Sequence, residues 1–248
     1  MEELKMLRQK FGFDHIWFCD DIFGLKPGWV NHFAELVKKE DLKFKFKIQS
    51  RADLLVQEAY VEALARAGCD TVWMGAESGS QSILDAMDKG TKVEQIHEAT
   101  HLLKAHHIKP AFFIQFGYLG ETKEDIKKTI QLIRKLMPHE IGISVSYPLP
   151  GTVFYEKVKA QLKEKSNWTD SDELKLMFRN TYRPEFYKKL HRYVHHEFRK
   201  QQGWAALRVA IKKPFTLKWN DCKKIIAAFL FVPKTIVYQL QLKRYANE

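Results

Sequence analysis

The stretch KFKFKIQSRADLLVQEAYVEALARAGCDTVWMGAES, residues 43–78, holds one complete unit of the fold. Its opening alternates strictly, with Phe44, Phe46 and Ile48 on one face and Lys45, Lys47, Gln49 and Arg51 on the other. A period of two belongs to a β-strand. Residues 53–67 change to helical spacing, and Gly68 stands where a helix C-cap wants a glycine. DTVWMGAES, 70–78, is then a second strand. Strand, helix and strand at this spacing predict a parallel crossover unit.

The same rhythm extends both ways. Upstream, HIWFC (15–19) is an apolar strand ending at Asp20–Asp21, and Pro27 sits in the first turn of a helix, WVNHFAELVKK. Downstream, two helices follow residue 78, the second opened by a Thr91–Glu94 capping box. IKPAFFIQFGYLGE (108–121) is a strand and its loop, Thr122 caps a helix that Pro138 stops, and IGISVSYP (141–148) is the last strand. Five strands cannot close an eight-stranded barrel. They suit an open doubly wound sheet or most of a six-stranded partial barrel. The chain opens on a charged amphipathic helix, MEELKMLRQKFG, of the kind that follows a strand. The expectation is an α/β chain whose strand–helix run begins one strand late, in one of these two forms.

Composition narrows the class. With 248 residues, 45% of them hydrophobic, the chain can bury a core without a disulfide or structural metal. Cys19, Cys69 and Cys222 form neither a CxxC pair nor a zinc spacing, so a reducing, cytoplasmic setting is expected. Cys19 and Cys69 read as buried packing residues. The longest apolar run, IIAAFLFV (225–232), is stopped by Pro233 and is too short to span a bilayer. The net charge of +11 is uneven: residues 203–248 hold nine Lys or Arg against two acids, a net +7, leaving +4 for residues 1–202. The excess lies in the tail, which argues against a nucleic-acid partner for the body. The division expected is a barrel body over 1–155, a helical segment closing it over 156–202, and a basic amphipathic tail over 203–248. For the tail, packing of its apolar face on the barrel is preferred to peripheral contact with an anionic membrane. His191, His195 and His196 read as a solvated helix face, and no metal site is expected from the chain's own residues.

In parallel β/α architectures the site forms at the C-terminal ends of the strands. Here each end carries polar or flexible chemistry: Asp20–Asp21, Gln49–Ser50–Arg51, Glu77–Ser78–Gly79, the Gly117-x-x-Gly120–Glu121 loop, and Pro148 to Thr152. Singly, each has an ordinary structural reading: a turn and cap, an Arg51–Asp53 ion pair, a helix-capping Ser–Gly–Ser, a loop, a rigid turn. Five such groups on consecutive strand ends favour a binding site. Glu77 has no basic neighbour in the local sequence, so Arg51 on the preceding strand is its expected partner.

The series FCDDIFGLKPGW, QSRADLL, GCDTVWMGAESGSQSILDAMDKGT, IKPAFFIQFGYLGETKEDI and VSYPLPGTVFYE resembles the core domain of radical S-adenosylmethionine enzymes, the subgroup usually carrying an N-terminal cobalamin-binding domain. That resemblance implies a partial (β/α)6 barrel. It also implies reductive cleavage of S-adenosylmethionine at a [4Fe-4S] cluster, and a small-molecule substrate for cobalamin-dependent methyl transfer or rearrangement. Carried over by position, Asp20, Asp21, Arg51, Glu77, Ser78, Gln115, Gly117, Gly120 and Tyr147 would bind S-adenosylmethionine. Two departures stand out. Phe113 and Gln115 interrupt the glycine-rich motif of the fifth family strand, and the CxxxCxxC loop that holds the cluster is absent. A truncated parent, with its N-terminal part missing and this piece inactive alone, accounts for both the missing strand and the missing cysteines. The alternative is a non-catalytic nucleoside-binding half-barrel acting as a partner or scaffold.

Overall fold

The structure, a computed structural model, describes residues 1–162, 178 and 180–246. Five strands, β1 (His15–Trp17), β2 (Lys45–Ser50), β3 (Cys69–Glu77), β4 (Lys109–Phe116) and β5 (Glu140–Val145), form one sheet in sequential order. β1 with β2, β2 with β3 and β3 with β4 pair in parallel. A doubly wound sheet reverses its strand order at a switch point. The unbroken 1-2-3-4-5 order is that of a β/α barrel.

The helices interleave as the periodicity predicts. They are α1 (Glu2–Phe11), α2 (Trp29–Lys39), α3 (Ala52–Leu55), α4 (Glu58–Ala67), α5 (Gln81–Ala86), α6 (Val93–Ala105) and α7 (Lys123–Leu136). α8 (Val153–Val158), α9 (Pro184–Lys212) and α10 (Trp219–Tyr245) form the helical C-terminal part. The boundary expected between 155 and 156 falls inside α8, and that between 202 and 203 inside α9. Much of 163–179 lies outside the described residues.

The chain divides into two compact units. One comprises Met1–Glu77, Asp88–Ile114 and Pro138–Gly142, the other Ser78–Met87, Gln115–Met137 and Ile143–Glu248. In the first unit Phe46, Ile48, Val72 and Met74 are fully buried, and Phe18, Phe23 and Phe33 gather around Phe46 with ring centroids 5.1–5.9 Å apart. Burial of each such side chain contributes roughly 1.5–3 kcal/mol. Gly68 closes α4 at φ +97, where an added Cβ would meet the Phe44 carbonyl oxygen at 2.5 Å. Only glycine fits that approach. In the second unit Phe186, Tyr187, Leu190 and Val194 of α9 are buried, and buried Glu197 is paired with Arg134 at 2.9 Å.

Several local expectations need correction. β1 stops at Trp17, and Cys19 beyond it is exposed, not a buried packing residue. Cys69 is buried as expected, and desolvation pushes its thiol well above the ordinary range. The helix read over 53–67 is two, because the chain becomes extended at Gln57 between α3 and α4. Thr91 does not open α6; the backbone N–H of Lys92 donates to Gln95 Oε1 at 2.8 Å instead. Thr122 does cap α7, accepting from the Asp125 N–H at 3.3 Å.

The largest correction concerns the tail. Pro233 does not stop the helix: α10 runs for 27 residues straight through it. Proline removes one donor and crowds the preceding turn, but Pro233 is exposed, while Ala228 and Thr235 on another face are buried. α10 packs along α9, where a Cβ on Gly203 would meet the Lys224 carbonyl oxygen at 2.3 Å. His196 stacks on Phe231 at 4.8 Å and is half-buried, so the histidines are not a solvated face.

Candidate functional site

Glu77 is the residue whose backbone stands out. It lies at φ +53, a region that side-chain-bearing residues rarely adopt. The pairing of β3 with β4 slips between Gly75 and Glu77, so the strand end is bulged. Bulges re-aim side chains, and conformations of this kind cluster where a site requires them. The carboxylate folds back over Gly75, where an added Cβ would meet Oε1 at 2.9 Å. Its partner is Lys89, whose Nζ donates to Oε1 at 3.1 Å, and not Arg51 as expected. Arg51 is held by Asp53 through two parallel hydrogen bonds of 2.9 Å. That bond lowers the Asp53 pKa.

These groups share one cavity within the first unit, of about 280 Å³, lined by Asp21, Gln49, Arg51, Glu77 and Lys89. The alternation of β2 explains the placement: Phe46, Ile48 and Ser50 are buried, while Gln49 is half-exposed. Trp73 and Phe113 add an apolar wall, stacked with centroids 4.7 Å apart. Gly142 lies beside them, where a Cβ would sit 3.3 Å from Trp73. Asp20 is exposed and does not line the cavity. Trp73 faces the interior as the alternation of 70–78 places it, and Phe113 opens the stretch 113–120 that the resemblance assigns to the ligand, but nothing in the sequence pointed to Lys89. Lys89 lies in the loop between α5 and α6, twelve residues beyond Glu77, so proximity along the chain gave no sign of it.

The remaining expected residues belong to the second unit. Ser78 is fully buried, its hydroxyl 3.1 Å from Thr129 Oγ1 and accepting from the Ser80 N–H. Gly117 and Gly120 both take positive φ, +78 and +79, and bracket a tight turn closed from the Glu121 N–H to the Tyr118 carbonyl at 3.0 Å. The Gly117 N–H donates to Glu121 Oε2 at 2.7 Å, and Asn180 donates to the Gly117 carbonyl. Glu121 is fully buried, and desolvation pushes its pKa up to about 8. Gln115 donates to Ser146 Oγ at 3.0 Å, and Tyr147 is half-buried.

Residues 1–133 match the family model described as the radical SAM superfamily. The chain belongs to that family. It is 30% identical over 156 residues to an uncharacterized methyltransferase of Pyrococcus horikoshii, covering 63% of this chain and 34% of that protein. A radical S-adenosylmethionine methyltransferase from Kitasatospora setae, TsrM, solved with cobalamin and a [4Fe-4S] cluster, shares the fold with a TM-score of 0.57. It is 19% identical, and the match covers 64% of this chain and 30% of that one. The cobalamin-dependent enzyme OxsB, solved with aqua-cobalamin, gives a TM-score of 0.61 at 20% identity, over 97% of this chain and 42% of that one. The chain thus spans between 34% and 39% of the length of the first curated relatives it matches.

A radical SAM protein needs three thiolates to hold its cluster. Among the described residues no three metal-ligating side chains converge, and the three cysteines are exposed, buried and half-exposed in separate elements. The cluster does not fit the residues present. S-adenosylmethionine fits better: acids and bases stand together in the Glu77 cavity, matching the amino and carboxylate groups of an amino-acid zwitterion.

Proposed function

We propose that this chain supplies the S-adenosylmethionine-binding half of a radical enzyme that acts on a small-molecule substrate. The carrying observation is the Glu77 cavity, where a bulged strand end places a carboxylate against Lys89 beside Gln49, Arg51 and Asp21. On this reading Glu77 and Asp21 meet the ligand's amino group or ribose hydroxyls, and Lys89 and Arg51 face its carboxylate. In the second unit, the family resemblance assigns Gln115, Gly117, Gly120 and Tyr147 to the adenine, and Ser78 there is held by Thr129. The [4Fe-4S] cluster is held by thiolates outside this chain, in an N-terminal part of the parent protein. The names of the relatives support methyl transfer with cobalamin in that parent. Three free cysteines suit a reducing cytoplasm.

The cysteine arrangement favours one second reading, a nucleoside-binding half-barrel that performs no chemistry. Isothermal titration with S-adenosylmethionine tests the shared core of both. The chain is expected to bind, and Glu77→Gln to weaken binding about tenfold to a hundredfold through loss of one charge-assisted hydrogen bond. Equal affinities would return Glu77 to a turn residue. Anaerobic reconstitution with iron and sulfide separates the two readings from a self-sufficient enzyme: no stoichiometric visible-band chromophore is expected from this chain alone.

A further inference from the structure

α10 carries an apolar stripe that no described residue of its own unit covers. Trp219, Ile226, Phe229, Leu230, Val237 and Leu240 recur at spacings of three, four and seven, which places them on one helix face. Each is between 52% and 71% exposed. The face about half a turn away carries Ala228 and Thr235 and is buried where α10 packs on α9. Exposed apolar patches of this continuity mark interaction surfaces.

Charge selects the partner. α10 holds five Lys or Arg against one acid, with Lys223 and Lys224 near its start and Lys243 and Arg244 at its end. Lys218 precedes it, and Lys234 flanks the stripe midway. Aromatic and aliphatic side chains on one face, framed by cations, match a bilayer whose headgroups are anionic.

Length alone would also permit a crossing, since α10 has 27 residues and an 18-residue window of mean hydropathy 1.6. Its partner helix decides against that. Lys200 of α9 reaches Thr235, Lys189 lies over the Tyr238 ring, and Glu197 pairs with Lys200 beside them. A spanning α10 would carry these charges into hydrocarbon or leave α9. We infer that α10 lies in the plane of an anionic membrane surface, its Trp219–Leu240 stripe inserted and α9 facing water.

Co-sedimentation of the full chain with vesicles of phosphatidylcholine mixed with phosphatidylglycerol, and of phosphatidylcholine alone, tests this. Binding is expected to favour the anionic vesicles and to fall with added salt. Phe229→Gln with Leu230→Gln should lower the partition about tenfold or more. Lys243→Glu with Arg244→Glu should weaken the preference for phosphatidylglycerol, and adding Lys223→Glu and Lys234→Glu should erase it. These variants alter exposed side chains, so far-UV circular dichroism should stay unchanged, and S-adenosylmethionine titration should be unaffected. Vesicle binding equal in all variants, or none at all, would overturn the inference. A dimer in sedimentation velocity that the Phe229→Gln, Leu230→Gln pair converts to monomer would replace the lipid with a second copy. Resistance of the cell-expressed chain to alkaline carbonate extraction would replace the surface location with a span.

Discussion

Glu77 and Glu121 show how differently two strand-end carboxylates can be used. Glu77 is paired and borders a polar cavity, whereas Glu121 is sealed, with Oε1 buried and unbonded and Oε2 accepting from Gly117. Desolvation dominates at Glu121, and Asp125 adds to it, while the Gly117 bond opposes both. The folded pKa, about 8, stands above the ordinary 4.5. Below pH about 4.5 both states are protonated and burial costs nothing extra. As pH rises from there through about 8 the unfolded chain ionises first, so stability is lost across that window. The full effect is on the order of 5 kcal/mol at most. Glu121→Gln, which cannot ionise, should raise the melting temperature at pH 8 and leave it nearly unchanged at pH 4. Parallel melting curves for the two proteins across this range would show that Glu121 is ionised in the fold. The Gly117-x-x-Gly120–Glu121 pattern was legible in sequence, but the burial that neutralises its acid was not.

At the scale of elements, the α9–α10 pair depends on one close approach. Gly203 sits inside a long helix, where glycine is otherwise unfavourable by about 1 kcal/mol relative to alanine. Its backbone meets α10 so closely that an added Cβ would fall 2.3 Å from the Lys224 carbonyl oxygen and 2.4 Å from Ala228 Cβ. A gain in helix propensity from Gly203→Val is outweighed by this overlap with backbone that cannot move alone. The variant should lose roughly 1–3 kcal/mol through overpacking, read as a lower denaturant midpoint. An unchanged or raised midpoint would mean that the helices separate freely at that point. Strand and helix identities along β2 to α7 followed from period and caps, since local pattern specifies them. The exceptions have local causes too. The chain turns extended at Gln57, and a side chain other than Thr91 meets the first turn of α6.

At the scale of the whole molecule, the helical C-terminal part is predicted to stabilise the unit that contains it. Removing residues 213–248 would strip α10 from α9 and expose Ala228's contact surface, His196 and the neighbourhood of Lys200 to water. A lower melting temperature is expected in differential scanning calorimetry. If the transition does not move, α10 is not held on α9 in solution. The same deletion should abolish vesicle association, which separates its two roles. A pH effect also belongs here. His195 is held down to about 4, by desolvation first and by His191 and Arg199 next. Its contribution is present above the unfolded value near 6.5 and is lost as pH falls toward 4, so acid should loosen α9 while alkali acts through Glu121.

By itself the sequence determined the strand–helix alternation and the strand ends that carry polar groups, because periods of two and 3.6 and the cap residues are local properties of the chain; the barrel followed from the family resemblance. It also showed that no CxxxCxxC loop is present. Tertiary structure alone decided which groups meet. Lys89, not Arg51, reaches Glu77, because a register slip in β3 turns that carboxylate toward the loop after α5. Arg51 turns to Asp53, two residues away, since a bidentate pair at 2.9 Å outcompetes a more distant acid. Packing against α9 carries α10 through Pro233, where sequence reasoning stopped the helix, because contacts on its buried face offset a single missing donor on its exposed one.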